Sequence, residues 1–146
     1  QALYRSRRGE EAIDILRRAI VLDPLEKEPY PMLARSFHER GLRQKGQGDG
    51  NGAHASFLRA IESWQQALAF APENVDFLRG LGIEYFSAGR IADAAAVLVR
   101  AAVLSPGDGL IQGNLGAVYL AQGRLADAEQ ALQRAHLGQA LKVEFR

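Results

Sequence analysis

An all-α fold built from paired helices in tandem is predicted by three observations. Residues 75–108 and 109–142 align without a gap at an offset of 34 residues, with eleven identical positions. Apolar residues in each half of that period fall at helical spacing. Glycine and proline then punctuate the chain at the places where such helices must end and restart.

The internal repeat sets the frame, because a period of this length makes one supersecondary unit the building block. Leu81-Gly82 recurs as Leu115-Gly116, and Tyr85 as Tyr119. Gly89-Arg90-Ile91-Ala92-Asp93-Ala94 recurs as Gly123-Arg124-Leu125-Ala126-Asp127-Ala128, and Leu98, Arg100 and Ala101 recur as Leu132, Arg134 and Ala135. Leu78, Leu81, Gly82 and Tyr85 share one helical face, as do Ala94, Leu98 and Ala101. Gly89 and Gly123 terminate the first helix of each pair, Asn74 and Asp108 cap the helix that follows, and Pro24, Pro72 and Pro106 mark the connections. The small residues Gly82, Ala94, Gly116 and Ala128 let helices approach closely, and Tyr85, Leu98, Tyr119 and Leu132 fill the space between them.

Read backwards, Asp23-Pro24 precedes Pro72 by 48 residues, one period plus 14. The excess lies in Leu42–Ala55. Before it, Leu33-Ala34, Phe37 and Gly41 form the first half of a repeat; after it, Ala60, Trp64, Ala67 and Pro72 form the second. The spacing predicts helices over 8–22, 29–40, 54–70, 75–87, 91–104, 109–121 and 125–136. Pro29 and Pro31 fit only in a first turn, so the second helix starts around them. The insertion, with Gly46, Gly48, Gly50 and Gly52, predicts a mobile surface loop or a flap that touches a partner.

The period, the Leu-Gly followed by Tyr, and then Ala, a large apolar residue, Ala and Pro together resemble the tetratricopeptide repeat (TPR) over about residues 3–137. Tyr30 stands where that family often has Trp, whereas Leu78 and Gln112 replace the aromatic, and the last repeat ends in Leu137-Gly138 without a proline. The resemblance implies a right-handed α-solenoid of antiparallel helix pairs, the TPR superhelix, as one domain over 1–146. It comprises a partial repeat 1–26, an inserted repeat 27–74, repeats 75–108 and 109–142, and a tail 143–146. In such arrays the first helix of each pair lines the concave side. The groove residues implied are Glu28, Met32, Arg35, His38 and Glu39; then Asp76, Arg79, Gly80, Ile83, Phe86 and Ser87; then Leu110, Asn114, Ala117, Leu120 and Ala121. Met32, Arg35, His38, Asp76, Arg79, Ile83, Phe86, Asn114, Ala117 and Leu120 are the chosen candidates for binding a peptide or a helix. Some family members hold the C-terminal carboxylates of heat-shock chaperones with a clamp of bases and asparagines. Arg79 and Asn114 fit two of those sites, but Ile83 replaces a clamp Asn, so that ligand is set aside.

Charge and chemistry narrow the function. The 146 residues carry 18 Lys+Arg against 17 Asp+Glu, a balance unlike that of a strongly basic nucleic-acid binder. No apolar run reaches a membrane-spanning length, and there is no cysteine. Asp49-Gly50-Asn51 fails as a calcium loop, since Ala53, His54 and Ala60 occupy the other required positions. Gly50-Asn51-Gly52-Ala53-His54-Ala55 follows no strand, so it is not a dinucleotide fingerprint. His38, His54 and His136 lack metal-ligand spacing. Arg18, Arg100 and Arg134, and also Arg90 and Arg124, recur in register as solvated edges.

The expectation is a non-enzymatic scaffold or adaptor that binds another protein, with no cofactor, metal or nucleic acid. The alternative is a regulatory or targeting module of a longer protein carrying a transferase or an envelope- or secretion-assembly domain. The start at Gln1 without a leader suggests a chain cut from something longer, and 15 Arg against three Lys, with much Ala, Leu and Gly, suggests a bacterial source. A cytoplasmic setting is favoured, or a periplasmic one if a leader was removed. Self-association is expected through the repeat ends, with Ile13, Leu16 and Ile20 at one and Leu132, Leu137, Leu141, Val143 and Phe145 at the other.

Overall fold

A computed structural model describes the backbone of residues 2–144 and the side chains of residues 6–137. The fold is all-α, and among the described residues there is no strand. Helices α1 (Ala2–Leu22), α2 (Pro29–Gly46) and α3 (Gly50–Phe70) belong to one compact unit, residues 1–72. Helices α4 (Val75–Ser87), α5 (Ile91–Leu104), α6 (Gly109–Ala121) and α7 (Leu125–Glu144) belong to a second, residues 73–146. Short turns fold each helix back on its predecessor, so α1 packs on α2 and α2 on α3 in the first unit. In the second, α4 packs on α5, α5 on α6, α6 on α7, and α4 touches α6.

Helices α4, α5 and α6 start and stop at the expected residues because their signals are local. The Asn74 side chain accepts a hydrogen bond from the Phe77 backbone N–H (3.0 Å), and that of Asp108 from Leu110 (2.9 Å), satisfying donors that a helix start leaves open. Gly89 and Gly123 take positive φ (80° and 73°), and the next N–H reaches back across the turn, Arg90 to the Tyr85 carbonyl and Arg124 to that of Tyr119, each at 2.8 Å. Five-residue reach with a left-handed glycine is the Schellman stop.

The insertion is helical, which corrects the expected loop over Leu42–Ala55. Only Gln47–Asp49 interrupts it. Gly41 is not a terminator: it lies inside α2, and a Cβ there would come within 2.5 Å of the Phe57 ring. The stop falls seven residues later at Gly48 (φ 81°), where Asp49 N–H bonds the Gln44 carbonyl in the same geometry as at Gly89. The Asp49 side chain then accepts from Gly52 N–H at 2.8 Å and starts α3. Fourteen extra residues therefore add seven, about two turns, to each arm of the hairpin. Whole turns keep the apolar faces of both arms in register, so the extension continues the core with Ala53, Ser56 and Phe57.

Two more boundaries differ from expectation. Helix α1 begins at Ala2 rather than near residue 8, and α7 runs on to Glu144 rather than stopping at 136, since no proline follows Leu137-Gly138. Ile13 and Leu16 are not an exposed end face: they are buried with Leu33, Phe37 and Ala60, and Ile20 packs beside them. Their spacing of three and four residues turns that stripe toward α2. The apolar surface here is instead Ile15, Val21, Leu22 and Leu25. Leu141, Val143 and Phe145 lie outside the described side chains.

In the second unit the packing unit is a glycine on one helix and a leucine on the next. A Cβ on Gly82 would meet the Leu98 side chain at 2.6 Å, and one on Gly116 would meet Leu132 at 2.7 Å. Leu98 is 0% exposed because α6 covers it, whereas its counterpart Leu132 is 44% exposed. Leu98→Ala should accordingly cost about 2–5 kcal/mol and Leu132→Ala about half as much, since only part of the second side chain leaves water on folding; urea denaturation of the two variants compares them. Gly48→Ala should cost roughly 1–2 kcal/mol for forcing an L side chain into the left-handed region, while Gly46→Ala, with open space around it, should stabilise by about half a kcal/mol. Melting temperatures moving in the same direction would contradict the turn assignment.

Candidate functional site

The ten candidate residues fall on three helices and in two units. On α2, Met32 is exposed. Arg35 and His38 do not stand free of the hairpin: the Arg35 guanidinium lies 5.6 Å from the Trp64 ring centroid and the His38 ring 5.9 Å from that of Phe57. Both lean on aromatics of α3, contacts that three-dimensional packing sets and local spacing does not reveal. Glu39 lines a shallow pocket with Arg8, Ser36 and Arg43, and Arg40 pairs with Glu10 across α1 and α2 at 3.0 Å.

The other seven sit on α4 and α6, which touch. Asp76 and Ala117 are exposed, and Arg79, Ile83 and Asn114 are half-buried. Phe86 is 39% and Leu120 51% exposed, large apolar groups at the C-terminal ends of their helices. The Asn114 side-chain oxygen is shielded from water and has no hydrogen-bond partner among the described residues. Buried carbonyl-type oxygens are seldom left so, since each costs about 1–3 kcal/mol. The α4–α6 pair therefore offers two apolar anchors, a guanidinium and an amide whose bonding capacity the unit does not use.

Arg90 and Arg124 occupy their exposed edges in a more specific way than sequence spacing indicates. Each stacks on the tyrosine five residues earlier (4.7 Å over Tyr85, 4.4 Å over Tyr119) and pairs with the aspartate three residues later, Arg90 with Asp93 at 2.8 Å and Arg124 with Asp127 at 2.9 Å. The repeated clasp ties the end of one helix to the start of the next and absorbs both charges. Glu84, which sequence reasoning left without a role, is buried beside Tyr85. Its repeat counterpart is Val118, so a departure from the repeat pattern was the signal available.

Among the described residues no group of His, Asp or Glu could hold a metal ion, and no helix is long and apolar enough to cross a membrane.

Comparison with known proteins agrees with this architecture. One tetratricopeptide repeat model matches residues 38–109 and another matches residues 85–140. The structure described as "MamA MSR-1 C2" superposes with a TM-score of 0.74 at 16% identity, over 95% of this chain and 72% of that one. A second, "Crystal structure of MamA protein", gives 0.72 at 21% identity, over 94% and 68%. The second TPR of Spaghetti (RPAP3) bound to the HSP90 peptide SRMEEVD gives 0.54 at 20% identity, over 71% and 90%. At these identities the likeness concerns the fold. The family models together span residues 38–140, and the chain belongs to the tetratricopeptide repeat family.

Proposed function

We propose that this chain is a non-enzymatic interaction module that binds a peptide or helix of another protein on the α4–α6 face. The observation that carries the reading is the grouping of Phe86, Leu120, Arg79 and the unsatisfied Asn114 oxygen on two adjacent helices. Apolar anchors supply most of the affinity at such surfaces, and a few polar groups fix register. Asn114 Oδ1 accepts a backbone N–H of the bound segment, and Arg79 takes a carboxylate. The related fold bound to SRMEEVD shows that a TPR can hold an acidic peptide. Here Ile83 stands at a clamp position, which favours a ligand with an apolar side chain over a purely acidic tail. Met32, Arg35 and His38 extend the reading to α2.

A second reading, a regulatory or targeting module of a longer protein, draws on the α6–α7 face. Leu120, Leu125, Ala128 and Leu132 line an open apolar pocket there. Ala94 and Leu98, the counterparts of Ala128 and Leu132, are buried beneath α6, so this face is shaped to receive another helix.

A partner captured with the chain from its source organism should bind about 10-fold or more weakly after Phe86→Asp and after Leu120→Asp, and about 10-fold more weakly after Arg79→Glu, by calorimetric titration. Circular dichroism should stay unchanged, because all three side chains reach the surface. Full affinity in all three variants would remove this face from the function.

A further inference from the structure

A separate pocket of about 330 Å³ opens on the other side of α6, between α5 and α7. Its size is at the lower end of the range for sites that take small ligands, roughly 300–1,000 Å³. Val99, Val103, Pro106 and Leu115 supply apolar wall, Gln112 lies in it, and Arg134 stands at its exposed edge. Gln112 is only 5% exposed, and no hydrogen bond to its side-chain amide is found among the described residues. The side chain is thus largely buried, and its amide lines the pocket with no hydrogen-bond partner among the described residues.

The repeat explains why the space is empty. Gln112 stands six residues after Pro106, and Tyr30 stands six after Pro24. Tyr30 fills its position: the ring packs 5.5 Å from Phe70 and the hydroxyl donates to the Pro24 carbonyl at 2.7 Å. Leu78 fills the same position in the third repeat. In the fourth, a glutamine replaces the ring, and the residue corresponding to Phe70 is Gly138. A pocket is left at this position. Tyr119 and Asp127 also line the pocket, and Arg124 stacks on the one and pairs with the other.

We infer that this pocket is a second recognition site, which receives a tyrosine side chain projecting from a partner polypeptide. The ring lies against Val99, Val103 and Leu115, and the hydroxyl exchanges hydrogen bonds with the Gln112 amide, which can both donate and accept. Arg134 has no ion-pair partner among the described residues, so an acidic residue next to that tyrosine is preferred. The site is independent of the α4–α6 face and stands or falls separately from it.

The test uses the whole chain, isotope-labelled, with N-acetyl-tyrosinamide, N-acetyl-phenylalaninamide and N-acetyl-leucinamide as probes in NMR titrations. Saturable shifts are expected at the backbone amides of Ala102, Gln112 and Ala131 and at the Gln112 side-chain NH2, with the tyrosine probe tightest. Gln112→Leu, which copies Leu78, should weaken the tyrosine probe about 2- to 10-fold, the range of one hydrogen bond, and leave the phenylalanine probe unchanged. Gln112→Tyr, which copies Tyr30, should fill the pocket, raise the melting temperature and abolish binding of all three. Equal binding of the three probes, shifts confined to other residues, or an unchanged tyrosine affinity in Gln112→Leu would each overturn the assignment. Should Gln112→Tyr fail to fold, the Gln112→Leu titration decides alone.

Discussion

The fold depends on one steric arrangement, a large side chain of one helix lodged against a glycine of its neighbour. Leu98 reaches Gly82, Leu132 reaches Gly116, and in the lengthened hairpin Phe57 reaches Gly41. At each place even a methyl group would collide with the incoming side chain. Apolar burial is worth roughly 25 cal/mol per Å², but only if the two surfaces come together without voids. A short helix cannot bury its own apolar stripe and is marginal alone in water. The notch allows two such helices to bury each other, and its repetition at Gly82 and Gly116 turns marginal pairs into the core of the second unit. The packing consumes one side of each of these first helices.

What the sequence disclosed depended on how local its signals were. The ends of α4, α5 and α6 were legible to the residue because a left-handed glycine and an Asx cap act over five residues or fewer. The insertion was misread for an informative reason. Gly46, Gly48, Gly50 and Gly52 look like a flexible loop, but only Gly48 occupies a turn; the others sit at helix ends or inside a helix start, where glycine is tolerated. The decisive property was its length, a whole number of turns on each side, which preserves the facing of Phe57 toward α2. Among the candidate residues on α4 and α6, Asp76, Phe86, Ala117 and Leu120 are exposed, and Arg79, Ile83 and Asn114 are half-buried. Arg35 is exposed and His38 half-buried, and they lean on Trp64 and Phe57, contacts across a hairpin that no periodicity reports.

Departures from the repeat carried more information about function than the repeat itself. Matching positions explain packing: Leu98 and Leu132, Tyr85 and Tyr119, and the Arg–Asp clasps do the same mechanical task twice. Those clasps also neutralise two arginines that would otherwise read as a basic edge. Ile83, Glu84 and Gln112 depart from the pattern, their counterparts being Ala117, Val118 and Leu78.

Helix α6 concentrates this argument. Its polar side chains, Gln112 and Asn114, sit among Leu110, Ile111, Leu115, Val118 and Leu120 in a helix that is otherwise apolar on nearly every side. Two residues apart on a helix places them about 200° from each other around the axis, so they address opposite sides. The Asn114 oxygen is shielded from water with no partner among the described residues, and the Gln112 amide faces the pocket between α5 and α7. Folding alone gains nothing from the first: an apolar residue of similar size at position 114 would avoid the desolvation of an amide. A helix that needed only to pack would resemble α5, whose buried positions are Ala94, Leu98 and Ala101. A donor from outside the unit would recover the cost at Asn114, and this is the physical ground for the recognition proposed on that side of the helix.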